Sequence, residues 1–411
     1  MERVRCCVAG GGPAGVMLGL LLARAGVDVV VLEKHHDFLR DFRGDTVHPS
    51  TLRLLDELGL GARFAELPQG ILERAEMRIG TESLTVADFR RLKGPHNHIA
   101  MVPQAEFLEV LAEAEPGMSL RRGCEVLGLL REDGRVTGVR YRDAEGEVRE
   151  LGADLTVGCD GRWSTVRRAA GLPLREVAMP MDAWQVRVPK SADPAQDGGV
   201  FIRFGHGAAA ATMDRGDYYQ TAYLIPKGQD TALRTEDIAV FRARLGALME
   251  WDEDQLAAIR SWDDVHFLDI RMGRLTRWYD DGVLCIGDAA HPMSPTGGVG
   301  VNLAVQDAVA TATLLAEPLR AGRVSPRQLA AVQRRRGLPT AATQRAQLGE
   351  QRMLLEPALE GRLHRPPAAL RLINRVPALQ RLLGYLGCIG FRPEHAPAFA
   401  RRPSTVDDPA R

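Results

Sequence analysis

The stretch Val4–Glu33, VRCCVAGGGPAGVMLGLLLARAGVDVVVLE, decides how the rest of the chain is read. It opens on a short apolar run, Val4 to Ala9, of the length and bounding expected for a buried parallel strand. Gly10-Gly11-Gly12-Pro13-Ala14-Gly15 follows and fits G-x-G-x-x-G at Gly10, Gly12 and Gly15. An apolar helix is expected from about Pro13 to Ala25, with Gly26 placed to end it. Val27 to Leu32 reads as a second buried strand that terminates in Glu33.

Each part of this order has a physical use. Gly10 lets the chain turn tightly out of the strand. Gly12 removes a side chain so that a pyrophosphate can approach the backbone, with Pro13 and Ala14 opening the helix beside it. Gly15 lets helix and strand pack closely. The unsatisfied N–H groups and the dipole at the helix N-terminus favour a phosphate. Glu33, followed by Lys34, stands near the spacing at which a carboxylate accepts hydrogen bonds from both ribose hydroxyls. Strand, glycines, helix, strand and acid in sequence read as a dinucleotide site. The acid argues for an unphosphorylated ribose, that of FAD or NAD.

Working outward, Pro49 and the leucines at 52, 54, 55, 58 and 60 predict a helix that Gly59 ends. Arg43-Gly44-Asp45-Thr46-Val47-His48 lies just ahead of it. Alternating runs between Glu73 and Phe89 predict antiparallel strands, and Gln104 opens a helix to about Ala114. Met118 to Leu151 reads as a β-meander with turns at Asp133-Gly134 and Glu145-Gly146. A separate strand is expected at Asp154 to Val157, leading into Asp160-Gly161 and the polar run to Arg167. Residues 173–272 read as strands (Ala183 to Val188, Val200 to Phe204, Tyr218 to Ile225) and a helix, Glu236 to Leu248. Gly282 to Ile286 predicts a short buried strand before GDAAHPMSPTGGVGVN, Gly287 to Asn302. A helix from Leu303 to about Leu315 follows. The glycines ahead of it expose N–H groups at a second helix N-terminus, beside Asp288.

The chain of 411 residues carries 53 basic and 53 acidic residues, which argues against nucleic acid as a main partner. Its six cysteines lack C-x-x-C spacing and read as buried free thiols of a cytoplasmic protein. No uninterrupted apolar stretch looks long enough to cross a membrane. From Pro318 onward the sequence is helical and rich in arginine, read as a solvated face. The alternative is a weak contact with an anionic membrane surface, to which the apolar stretch Leu379 to Phe391 adds weight. The tail from Arg401 is expected to be disordered.

Three motifs stand in order: GGGPAG with Glu33, DGRWSTVR from Asp160, and GDAAHPMSPTGGVGVNLAVQDA from Gly287. Together they resemble the class A, para-hydroxybenzoate hydroxylase-like FAD-dependent aromatic monooxygenases, over roughly residues 1–350. The resemblance implies an α/β architecture: a G-x-G-x-x-G Rossmann-like FAD domain, an inserted antiparallel β-sheet substrate domain and C-terminal helices. On this reading residues 1–72, 97–175 and 273–350 form the FAD domain, 73–96 and 176–272 the substrate domain, and 351–411 the C-terminal helical region and tail.

The resemblance also implies roles. Gly10, Gly12, Gly15 and Glu33 would hold the ADP half of FAD. Arg43 and Gln104 would lie toward its pyrophosphate and ribityl side. Asp160 and Gly161 would serve FAD and nicotinamide, and Asp288 the ribityl hydroxyls. The loop through Gly298, Gly300, Val301 and Asn302 would lie beside the isoalloxazine, with Pro295 at the face where oxygen reacts. His48 is a candidate for the substrate side. His206, Tyr219 and Tyr223 are weaker ones, better read as packing or surface residues. The implied reaction uses NAD(P)H and O2 to hydroxylate an aromatic or heteroaromatic substrate through a flavin C4a-hydroperoxide, in a monomer or homodimer. A single G-x-G-x-x-G fits a family in which NAD(P)H has no separate Rossmann domain, and leaves NADH and NADPH both open. The alternatives are a prenyl reductase or halogenase-like enzyme on the same frame, or a non-catalytic flavoprotein. The W-x-W-x-I-P segment of halogenases is absent; Trp184 stands alone in DAWQV.

Overall fold

The computed structural model describes residues 1–39, 46–190 and 200–403. The opening apolar run forms the strand Glu2–Ala9, in which Cys6 to Ala9 are wholly buried. Parallel neighbours flank it, Val29–Glu33 on one side and Val148–Gly158 on the other. A strand covered on both faces needs apolar side chains at successive positions, so its sequence shows no alternation. The central sheet runs in the order Tyr279–Asp280, Val283–Cys285, Val148–Gly158, Glu2–Ala9, Val29–Glu33, Ser119–Arg122. The helices Pro13–Arg24, Gln104–Ala112 and Val299–Arg320 share one apolar core with it.

Two boundaries differ from the sequence reading. The last strand of the meander and the strand expected at Asp154 are one element, Val148–Gly158. Its first half pairs antiparallel with Arg135–Arg142 and its second half parallel with Glu2–Ala9. Gly152 looks like a break in sequence, yet it lies inside the strand opposite both Arg3 and Gly138. The helix expected from Leu303 begins at Val299. Only Gly297 and Gly298, at φ 75° and 60°, leave helical geometry; Gly300 does not.

The chain leaves this frame through Leu174–Val177 and rejoins it through Met272–Leu275, and these two strands pair antiparallel. Between them lies most of a seven-stranded sheet, ordered His266–Leu268, Met181–Pro189, Tyr218–Pro226, Ala208–Asp214, Val200–Gly205, Arg74–Ile79, Glu82–Asp88. One face is closed by Trp184, Tyr219 and Tyr223 packing on Phe241 and Trp251. The other packs Met181, Ala183 and Phe204 against Leu354, Leu355 and Ala358. Ala208–Asp214 was not anticipated, because its alanines carry little strand preference. The turn before it places it: His206 and Gly207 both have positive φ, 53° and 72°, as a two-residue hairpin requires.

All six cysteines are free and buried. Among the described residues one helix, Thr296–Arg320, is long and apolar enough to cross a membrane. It is the core helix of the frame, with 72% of its apolar window buried in the protein. The arginine-rich C-terminal part is not uniformly a solvated face either. Arg336, on the helix Pro326–Glu350, is fully buried. In the apolar stretch, Gln380, Gly384 and Cys388 turn inward, while Leu382, Leu383, Tyr385 and Phe391 are exposed. At the expected tail, the Arg402 amide donates to the Glu57 carbonyl; residues 404–411 lie outside those described.

Candidate functional site

The first wall is the glycine corner. Gly10 has φ 103°, and a Cβ there would stand 2.5 Å from the Cys159 carbonyl oxygen. A Cβ on Gly15 would stand 1.9 Å from the carbonyl oxygen of Gly10. These two glycines are therefore demanded by the chain itself. Gly12 is different: a Cβ there would meet nothing within 4 Å. It is the N-cap of Pro13–Arg24 and no side chain caps the helix, so the N–H groups of the first turn face open space. Glu33 is buried at the edge of this space. Its carboxylate accepts the Gly11 N–H at 2.7 Å and the His35 N–H at 3.0 Å, which fixes its position. Lys34 is exposed beside it.

The second wall comes from the strand Val283–Cys285 and the turn Gly287–Ala289. A Cβ on Gly287 would lie 3.3 Å from both Ala14 and Ala304, so the first turn of Pro13–Arg24 and the second turn of Val299–Arg320 converge on it. Asp288, next along, is half-buried and its carboxylate has no hydrogen-bond partner among the described residues. Behind the turn sits a buried ionic network that the sequence reading missed. Asp307 accepts the Gly287 N–H at 3.1 Å, His291 Nε2 at 2.5 Å and Arg336 Nε at 2.9 Å. Burial pushes the Asp307 carboxyl up, but His291 and Arg336 outweigh it and hold it below the usual carboxylate range. Arg336 reaches Glu394 at 3.4 Å, and Arg335 pairs with the same carboxylate at 2.6 Å. Asp307 stood in the quoted motif and Arg336 in the arginine-rich run. Their meeting depends on two helices packing, which neither stretch displays.

The third wall is the loop 292–302. Pro295 is exposed on it. A Cβ on Gly298 would fall 2.2 Å from Thr46 Oγ1, so the segment after Arg43 lies directly on this turn. Asn302 holds the two together. Its Nδ2 donates to the carbonyls of Thr46 at 3.0 Å and Gly298 at 3.2 Å. Its Oδ1 accepts the His48 N–H at 2.9 Å and the Thr51 hydroxyl at 2.7 Å. A side-chain amide has two donors and two acceptor positions, so Asn302 is filled within the chain and acts as a clamp, not as a side-chain ligand. Gly300 and Val301 are half-buried in the first helical turn. Arg43 lies outside the described residues.

Two other expectations change. His48 is 1% exposed, and burial drives its pKa down to about 4; the Gly387 and Gly297 carbonyls, which work the other way, do not offset it. It is a buried neutral histidine between the glycine turn and the C-terminal helix, not a group presented to a substrate. Asp160 accepts the Ser164 hydroxyl and, at 3.0 Å, the Val166 N–H, so its carboxylate caps the short helix Thr165–Ala169. Burial raises its pKa against those hydrogen bonds. Gly161, at φ 79°, leaves open space where a Cβ would be. Arg167 ties this turn to the previous wall by donating to the Ala289 carbonyl at 3.0 Å. Gln104 is half-buried at the start of Gln104–Ala112. Tyr219 and Tyr223 are packing residues on the closed face of the second sheet.

Two helix N-termini thus converge on one corner, with a clear approach at Gly12, an unpaired carboxylate at Asp288 and a fixed one at Glu33. That combination defines a dinucleotide-binding α/β protein. Residues 3–346 match the FAD binding domain family, and the chain belongs to it. It is 37% identical to 6-methylpretetramide 4-monooxygenase of Streptomyces rimosus, over 92% of this chain and 90% of the relative. It is 31% identical to rifampicin monooxygenase of Streptomyces venezuelae, over 73% of this chain but 61% of that protein's length. The solved structure of OxyS anhydrotetracycline hydroxylase from Streptomyces rimosus superposes with a TM-score of 0.73 at 27% identity, covering 94% of this chain and 76% of that one. The family is that of the FAD-dependent aromatic monooxygenases.

Proposed function

We propose that the protein hydroxylates a multi-ring aromatic or heteroaromatic substrate, using NAD(P)H as reductant and O2 as the source of the inserted atom. The observation that carries this reading is Asp288, an unpaired, half-buried carboxylate where two uncapped helix starts converge. A polyol chain linking a phosphate to a ring system answers such a corner. Bound FAD would supply the redox chemistry, hydride acceptance and oxygen activation.

The chain's own residues do the rest. The Gly12 backbone and the helix dipole behind it neutralise the pyrophosphate. Glu33 receives the adenosine ribose and Asp288 the ribityl hydroxyls. Gln104 borders the same path, with Asp160 and Gly161 at its edge. The amides after Gly298 face the electron-rich edge of the ring and favour negative charge there. Pro295 presents a rigid face at which oxygen and substrate meet. The second sheet supplies the far wall and keeps water out, so that activated oxygen is not lost as peroxide. The names of the relatives support a multi-ring substrate.

The test is oxygen uptake measured beside peroxide yield, with NADH or NADPH, over fused-ring phenols and quinones. One compound that speeds uptake with little peroxide, and returns heavier by one oxygen atom, supports the reading. A product that gains halogen or only hydrogen sinks it.

A further inference from the structure

The loop that carries Pro295 is held from behind by the helix Pro326–Glu350, through two glutamines spaced one turn apart. Gln344 Nε2 donates to the Pro292 carbonyl at 3.3 Å and to the Gly273 carbonyl at 2.6 Å. Gln347 Nε2 donates to the carbonyls of Ser294 and Thr296, both at 2.9 Å. The carbonyls taken are those of alternate residues, 292, 294 and 296, and Gln347 grips the carbonyls of the two residues that flank Pro295.

This grip is made at a cost. Gln347 is 7% exposed, and its Oε1 is buried without a partner. Turning the amide over would set that oxygen against two carbonyls, so the donors must stay where they are. A buried acceptor left unmade costs about 1–3 kcal/mol. A residue chosen only for packing would avoid that penalty, since a methionine fills similar volume with no polar atom. Broken local rules of this kind concentrate where a site must be held.

We propose that Gln347 is a positioning residue for the flavin: by fixing the Ser294 and Thr296 carbonyls it sets the Pro295 face, the Gly297 amide and the amides after Gly298 against the isoalloxazine, the Gly298 N–H itself being taken by the Pro295 carbonyl at 3.0 Å. This rests on the reading that the loop 295–302 carries that ring. Amides held in place stabilise the reduced, negatively charged ring more than the oxidised one. Loosening them therefore lowers the affinity for reduced FAD more than for oxidised FAD, and the midpoint potential falls.

The test uses the full chain loaded with FAD and needs no substrate. Midpoint potential, FAD dissociation constant and thermal midpoint are measured for the wild type, Gln347→Met, Gln347→Glu and, as a control with the same buried, unpartnered Oε1 but an amide that bonds Glu356 instead of the loop, Gln351→Met. Gln347→Met is expected to cut the preference for reduced over oxidised FAD about tenfold, or about 30 mV for a two-electron couple. Its affinity for oxidised FAD should stay within about threefold of the wild type, a difference under 1 kcal/mol. Gln347→Glu should show the same fall at about pH 8 and recover part of it at about pH 5, because only a protonated carboxyl can donate to either carbonyl. Gln351→Met should lower the thermal midpoint without moving the potential. A wild-type potential in Gln347→Met, an equal shift in Gln351→Met, or a pH-independent shift in Gln347→Glu overturns the proposal. If Gln347→Met does not fold, the pH dependence of Gln347→Glu decides. Asp288→Ala is run alongside. Unchanged FAD affinity there sinks the site itself; lost FAD there, with a wild-type potential in Gln347→Met, sinks only the role of Gln347.

Discussion

The two glycine-rich helix starts are built in opposite ways. The corner at Gly10–Gly15 is mostly local: Gly15 closes on the Gly10 carbonyl and Gly11 bonds the next strand's Glu33, with the distant Cys159 packed against Gly10. The turn at Gly297–Asn302 is held from a distance, by Thr46, His48 and Thr51 on one side and by Gln344 and Gln347 on the other. The first can be recognised from neighbouring residues alone. The second has comparable glycines but exists as a shaped surface only after remote segments close on it. Phosphate binding tolerates a generic corner, whereas the reacting edge of a cofactor needs a specific one.

That contrast can be broken at several points. The largest effect is expected from Asp307→Ala, which leaves His291 and Arg336 facing a buried void and behind it an unanchored Gly287 turn. A loss of about 3–5 kcal/mol in urea unfolding is expected, and a loss under 1 kcal/mol would mean that the network is not charged. Next comes Asn302→Ala. It strands the His48 amide and the Thr46 carbonyl, and should cost about 2–3 kcal/mol together with FAD affinity.

A pH effect follows from His48. Its folded pKa of about 4 lies below the ordinary 6.5, so the unfolded chain binds the proton first as pH falls. The stability it contributes is complete above 6.5 and is lost progressively down to about 4, amounting to about 2 kcal/mol by about pH 5. His48→Gln should flatten that part of the wild-type stability curve; parallel curves would contradict a buried neutral histidine. The smallest and sharpest comparison pairs two alanines. Gly15→Ala should destabilise the fold by about 1–3 kcal/mol through overpacking. Gly12→Ala should leave unfolding unchanged but weaken FAD about tenfold, about 1.4 kcal/mol.

The same contrast explains what could be read in advance. The strand, glycines, helix and Glu33 were legible because their period and order are written in consecutive residues. So were the helix after Pro49 and most strands of the second sheet. Asn302 was singled out for its motif, but its role as a clamp depends on segments far away in the chain. Arg336 was counted with exposed arginines, because nothing beside it in sequence announces Asp307 and Glu394. Ala208–Asp214 owes its place to a His-Gly turn and to two neighbours, not to its own composition.

Leu174–Val177 and Met272–Leu275 lie side by side, and the returning strand bonds the loop ahead of Pro295: Leu275 N–H to the Ala290 carbonyl at 2.8 Å and Gly273 N–H to the Pro292 carbonyl at 2.9 Å. Five of the second sheet's seven strands are thus spliced into the frame at this seam, while Arg74–Ile79 and Glu82–Asp88 reach it from another part of the chain. The far side of the sheet can therefore change while the seam, and with it the register of the loop that carries Pro295, stays in place.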